Sequence, residues 1–357
     1  MNQNTQKTIY LGAASFVLSV LSSLILLITN VGYFLAVPVT ILFVAASCAC
    51  AGAFALTVLL SPTKFYIFIV PAAALCAGVI CMSVSAGILA LAPFASGAVV
   101  AVAAKKRQSK TGAILVSDFC VALALIAAAA TAYCFAHKTL APAAVVGSIN
   151  GVFDGVKAEL VDIFDKAGLY NVFSNIYDLG DMTKEAFLDK LAGEMVFTAK
   201  VVSPAVLVTC LNVFSYIATS FFSLFCRISK TDIAIPNGKW ILLPSVVSAW
   251  MYVGSMLAFV LFNMLTRYSS SSFVQVLYYA AQNLMIILIA PMLVCGVRGI
   301  AGRFRSPMYR RSATIITVIC VVLLLFNFLY GIAFAALEGA WDIIMMNKMK
   351  KFGNRQE

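Results

Sequence analysis

The sequence predicts an all-α fold: a polytopic transmembrane helical bundle of eight or nine spans, with short amphipathic helices in an outward-facing loop. Three observations predict it. Hydrophobic residues make up 62% of the 357 and charged residues only 11%, with a mean hydropathy of +0.99, against about 25% charged residues in a soluble domain. Several windows reach the roughly 20 apolar residues a helix needs to cross a hydrocarbon core about 30 Å thick, without one charge. Backbone amides in lipid must be bonded within their own segment, so runs of that length read as helices and not as strands.

The first run, residues 8–30 ("TIYLGAASFVLSVLSSLILLITN"), follows Lys7 as a secretory leader would. Its apolar part exceeds the roughly 7 to 15 residues of a leader core and further spans follow, so it reads as a retained first helix. Runs at 32–60, 65–85, 87–104, 112–136, 195–226, 241–266, 273–297 and 312–337 come next. The second and sixth are long enough to tilt or kink, at Pro38 and Pro204. The chain thus divides into N-terminal membrane helices (1–137), an extracytoplasmic amphipathic segment (138–194), C-terminal membrane helices (195–345) and a basic tail (346–357).

Orientation follows the lysines and arginines, which cytoplasmic loops retain. "KKRQSK" (105–110), "RISK" (227–230) and "RGIAGRFRSPMYRR" (298–311) are the strong basic loops. Two crossings separate each neighbouring pair, so all three fit inside, with the N-terminus. Nine spans then put the basic "NKMKKFGNRQE" outside, against the rule; eight or nine spans stay open. "IPNGKWILLP" (235–244) follows "RISK": Pro236-Asn237-Gly238 is a turn, Trp240 an interfacial anchor, and Pro244 falls in the first turn of the next helix.

The segment 138–194 holds nine of the fourteen acids. Val152, Val156, Leu160, Ile163 and Phe164 recur at helical spacing, and Phe187, Leu188, Leu191 and Met195 repeat the pattern behind an N-cap at Asp181 or Thr183. Two amphipathic helices result, either a lid over a ligand cavity or a connector lying on lipid headgroups.

Asp118 is the acid that stands well inside a span. An ionised carboxylate at the bilayer centre costs roughly 2.5 to 3.5 kcal/mol, which makes it a candidate for ligand binding or ion coupling. Eight residues from Lys110, about 12 Å along a helix, it is also in reach of a loop cation. Lys200 reads as a snorkelling residue. Asn212, Asn263, Gln275, Gln282, Asn283 and Asn327 sit in apolar surroundings, where amides bond across helices or line a polar site. Gln275, Tyr278 and Gln282 share a face by i, i+3, i+7 spacing. Together with Asn283 and Asp118 they form the candidate ligand-binding set. Small residues four apart (Ala45, Ala49 and Ala53; Gly97 and Ala101; Ala124 and Ala128) suit close helix packing within the chain or docking onto another membrane subunit.

Other chemistries lack their residues. The ten cysteines all fall in apolar segments without a C-x-x-C, and Cys48 and Cys50 face different sides of a helix; they read as free, buried, small hydrophobes. With one histidine, His137, at a helix end and no carboxylate cluster in the spans, no metal or other cofactor is expected. The net charge of +11 is spread over short loops, which fits anionic lipid and not nucleic acid. "YDLGD" (177–181) imitates intramembrane aspartyl protease elements, but its acids share one loop. Neither G-x-S-x-G nor a phosphate-cradling glycine loop occurs, so the chain is not expected to be an enzyme.

Pro236, Trp240 and Pro244 in "IPNGKWILLP", with Asn283 and Gly296 in "QNLMIILIAPMLVCGVRGIAGRF", carry a resemblance to the YybS-like family of bacterial membrane proteins, over roughly residues 230–345. The resemblance implies a multi-pass protein of the bacterial inner (plasma) membrane. It also implies N-terminal helices similar in character to the substrate-binding S components of energy-coupling-factor transporters, which dock on a membrane partner driven by separate ATPases. This chain is longer and carries an acidic outer segment those lack. The expected function is small-molecule binding as an S-component-like subunit; the competing expectation is a non-transporting scaffold that recruits cell-envelope partners.

Overall fold

The structure, a computed structural model, describes residues 3–28, 33–61, 65–81, 83–138, 141–176, 182–231, 244–266, 268 and 271–353. Among them every regular element is helical. In order they are α1 (Gln3–Ile28), α2 (Tyr33–Leu60), α3 (Phe65–Cys81), α4 (Val84–Ala90), α5 (Ala92–Lys105), α6 (Lys110–His137), α7 (Pro142–Lys166), α8 (Leu169–Ile176), α9 (Lys184–Ile228), α10 (Val246–Thr266), α11 (Ser272–Arg305), α12 (Arg310–Phe326) and α13 (Phe328–Gly353). Seven of the described segments are long and apolar enough to cross a membrane: Thr40–Leu60, Val84–Lys105, Lys110–His137, Lys184–Ile228, Val246–Thr266, Ser272–Arg305 and Phe328–Asn347. The chain is therefore a polytopic, all-α membrane protein.

Two compact units emerge, Met1–Ala132 with Leu207–Glu357, and Tyr133–Val206. In the first, glycines set how closely the helices approach. A Cβ on Gly52 would stand 2.8 Å from Phe221 Cβ and from Phe222 N, and one on Gly97 would stand 2.5 Å from Ala51 O. Gly97 and the buried Ala101 are thus consumed in packing α5 against α2. Phe54 and Phe94 meet edge to face at 4.9 Å in the same interface. Cys48 donates to Phe214 O on α9 and Cys50 to Ser15 O on α1, so the two thiols do face opposite neighbours.

A second packing centre joins α10, α11 and α13 around Tyr252, Met292, Ala336, Ala340, Ile343 and Ile344. Gly296 lies against Ala335 and Gly339, and Gly299, three residues on, against Asp342, three beyond Gly339. The two helices therefore run in the same direction. Tyr252 Oη donates to Ala333 O at 3.1 Å, and Arg303 bridges Glu338 (3.1 Å) and Asp342.

The run expected at 312–337 as one span is two helices. Asn327 leaves the helical region at φ −159°, ψ 118°, and its Oδ1 accepts from Leu329 N at 3.0 Å, capping α13. Gly331 then sits against Leu324, which folds the chain back on itself. Asn327 is thus a cap and not an amide bonding across helices. The run expected at 87–104 likewise starts earlier, at Val84, where Ser83 Oγ caps α4 by accepting from Ala86 N at 3.2 Å. Pro244 precedes α10 instead of standing in its first turn, because Ser245 takes the cap and accepts from Ser248 N at 3.0 Å. Pro236, Asn237, Gly238, Trp240, the "YDLGD" run and residues 354–357 lie outside the described residues.

In the second unit the amphipathic helices are longer than expected. α7 runs 25 residues, and the second amphipathic stretch is no separate helix: it is the start of the 45-residue α9, which continues through Pro204. Of the two proposed caps Thr183 serves, its Oγ1 accepting from Ala186 N at 3.3 Å. Leu188, Ala192 and Val196 are buried, while Tyr170 and Phe173 pack on Phe187. Lys157 pairs with Asp189 at 2.7 Å, Lys166 with Asp162 at 2.6 Å, and Lys184 with Asp165. Lys200 donates to Asn150 Oδ1 at 3.3 Å and lies over the Phe153 ring, so it is held inside this unit. Val146, Ile149, Val152, Val156 and Ile163 leave an exposed apolar stripe along α7.

Candidate functional site

Helical periodicity in the first unit turns Phe43, Val44 and Ser47 of α2, Val121 and Leu125 of α6, and Leu207, Leu211 and Phe214 of α9 toward one cavity of about 390 Å³. Ala90, Ala92 and Pro93 close it where α4 passes into α5. Alanine at those positions leaves the room that leucine would fill. The lining is apolar apart from Ser22, Ser47, Thr209 and Cys210. Ser22 Oγ donates to Ser19 O at 2.8 Å and Thr209 Oγ1 to Ile286 O at 2.9 Å. Ser47 differs. It is 3% exposed, and its Oγ has no hydrogen-bond partner. A buried hydroxyl left unbonded costs about 1 to 3 kcal/mol, so the cavity wall holds an unused donor and acceptor.

One turn from the cavity lies a chain of hydroxyls. Ser117 Oγ meets Ser96 Oγ at 2.7 Å and Ser215 Oγ at 2.9 Å, joining α6 to α5 and α9, with all three serines fully buried. Ser117 precedes the cavity-lining Val121 by four residues and Ser215 follows the cavity-lining Phe214, so the serines lie within a turn of the lining along both helices. Asp118 is adjacent. Both its carboxylate oxygens are buried without a hydrogen-bond partner. Among the described residues Asp118 is in no ion pair. Lys110, the loop cation expected within its reach, turns to Tyr216 instead, its Nζ 4.6 Å from the ring centroid. Arg298 Nη2 donates to the hydroxyl of the same tyrosine at 3.3 Å.

The remaining candidates all lie on α11. Gln275 is exposed, Tyr278 stacks on Phe259 of α10 at 5.1 Å and meets Tyr279 edge-on, and Gln282 Oε1 is buried without a hydrogen bond. Asn283 Nδ2 donates to Tyr279 O, one turn back on its own helix, as Asn212 Nδ2 does to Val208 O. None of the four lines the cavity. Sequence reasoning missed Ser47, the three linked serines and the burial of Lys110. Serine in an apolar helix has no periodic signature, and Lys110 follows Lys105, Lys106 and Arg107 in what reads as one loop. The four-residue spacing of Gly97 and Ala101 marks close packing of α5 on α2. No protein family, curated protein or solved structure is matched by this chain.

Proposed function

We propose that this membrane protein binds a small, largely apolar molecule in the cavity between α2, α6 and α9, with the Ser47 hydroxyl bonding its polar group. The observation that carries this reading is the unbonded, buried Ser47 Oγ on an otherwise apolar wall. A pocket of a few hundred Å³ with one or two polar groups suits a small ligand. Holding such a molecule is the task of a substrate-binding subunit of the S-component kind. The proposed YybS-like kinship rests on the short motifs quoted above, of which Gly296 has a packing role.

The test uses the exposed Cys210, which lines the cavity, as a built-in reporter. Protein purified in mild detergent is examined by native mass spectrometry for a retained molecule, and Cys210 is titrated with an apolar maleimide. Removing the molecule should speed labelling. Leu125→Trp, which places an indole in the cavity, should abolish retention without lowering the melting temperature. Retention unchanged in L125W refutes the proposal.

We propose ten crossings, with α12 and α13 as a tight pair. At 17 residues each, α3 and α12 reach about 25 Å, which a locally thinned bilayer accommodates. Ten crossings return the basic tail to the side of the 298–311 loop. The parallel run of α11 and α13 supports this, as does Lys7 donating to Ser229 O at 3.0 Å, which brings the N-terminus to the "RISK" end.

A further inference from the structure

We infer that the basic end of the first unit holds the phosphate headgroup of an anionic lipid between Lys110, Tyr216 and Arg298. Lys110 is 3% exposed, a burial at which an ammonium group ordinarily has an acidic partner. Here its neighbour is the face of Tyr216, and Arg298 reaches the hydroxyl of the same ring. Among the described residues neither cation is in an ion pair. Glu338 and Asp342, the acids that α13 sets against α11, are committed to Arg303. Asp118 stands two turns along α6 and pairs with neither. Two positive charges thus converge on one phenol with no ion-paired acid among the described residues. A phosphate fits that arrangement: the guanidinium fork and the ammonium attract its oxygens, and the Tyr216 proton, unused while the oxygen accepts from Arg298, is free to donate.

The adjoining space fixes the ligand as a lipid. A groove of about 280 Å³ is lined by Ile114, Ile217, Pro291 and Val294, with Tyr216 and Asn212 as its polar members, the Asn212 amide donating to Val208 O on its own helix. Ile114 is one turn beyond Lys110 on α6, and Val294 one turn before Arg298 on α11, so both cations stand at one end of the groove. A charged head and an apolar trough in line are complementary to a headgroup followed by an acyl chain, not to a free anion. The flanking basic segments 105–110 and 298–311 belong at the face where lipid phosphates lie. The groove and the Ser47 cavity share Val213 in their walls but no polar group, and the lipid site stands or falls without the cavity.

The test is native mass spectrometry and thermal melting of the full chain in detergent with added phosphatidylglycerol, phosphatidylcholine or inorganic phosphate. Phosphatidylglycerol should be retained and should raise the melting temperature, while phosphatidylcholine and phosphate should do neither. Lys110→Gln and Arg298→Gln should each weaken phosphatidylglycerol retention about tenfold, with Lys110→Arg restoring it. Arg298 is exposed, so its variant reports even if the Lys110 change unsettles the fold. Equal retention of phosphatidylcholine, full retention by R298Q, or equal stabilisation by inorganic phosphate would each overturn the inference.

Discussion

Gly339→Ala is the sharpest probe of how α11 and α13 meet. The added methyl would collide with Met292 O and stand 2.5 Å from Gly296 N, both backbone atoms that cannot swing aside. The helices must separate, and overpacking of this kind costs typically 1 to 3 kcal/mol, here about 3 because no flexible side chain yields. A radial gap of about 1 Å also forfeits up to half the dispersion energy of each facing atom pair, and Tyr252, Met292, Ala336 and Ala340 all face that seam. Alanine returns about 1 kcal/mol through helix propensity, leaving a net loss of about 2. Gly302→Ala on α11 and Gly254→Ala on α10 supply the control, since nothing lies within 4 Å of either new methyl. Those variants should match or exceed the parent by up to about 1 kcal/mol. The gap between G339A and G302A is then about 3 kcal/mol, over a hundredfold in the folded-to-unfolded ratio. Unfolding in mixed micelles with increasing sodium dodecyl sulfate, followed by tryptophan fluorescence, measures it. If G339A and G302A unfold at the same detergent fraction, the close seam does not exist.

Three further outcomes are expected. Arg303→Ala leaves Glu338 and Asp342, each about one-fifth exposed, without a cation and should cost about 2 kcal/mol; R303K should fall between, since one ammonium cannot fork to both, and a wild-type melting curve for R303A would contradict this. Ser117→Ala strands the hydroxyls of Ser96 and Ser215 and should cost about 2 kcal/mol, whereas Ser148→Ala, at the edge of the second unit, should be near neutral in the same melt. A fluorescent reporter fused after Glu357 should lie on the same side as one inserted at Gln108; opposite sides would mean that α12 and α13 do not form a pair of crossings.

Composition and run length determined the class of this molecule without any tertiary information. A chain with 62% hydrophobic residues and charge-free windows of spanning length has one way to satisfy its backbone in lipid. The basic loops predict a common side, and the contacts of Lys7 with Ser229 and of Lys110 and Arg298 with Tyr216 tie those basic residues to α9. Spacing also separated Cys48 from Cys50, because a two-residue step on a helix turns about 200°.

Tertiary structure decided what apolar runs conceal. Asn327 in an unbroken hydrophobic stretch reads as part of a span, and only its cap to Leu329 and the meeting of Gly331 with Leu324 show the chain reversing there. Likewise Ser47, Ser96, Ser117 and Ser215 are unremarkable letters, the three linked ones separated by 21 and 98 positions, and what distinguishes a satisfied hydroxyl from an unbonded one is a neighbour on another helix. Helix formation is a local matter of hydrogen bonds between residues four apart, so sequence reports it. Which side chains converge on a cavity depends on contacts between distant segments, and those are fixed by steric fit between glycine and backbone, not by hydropathy.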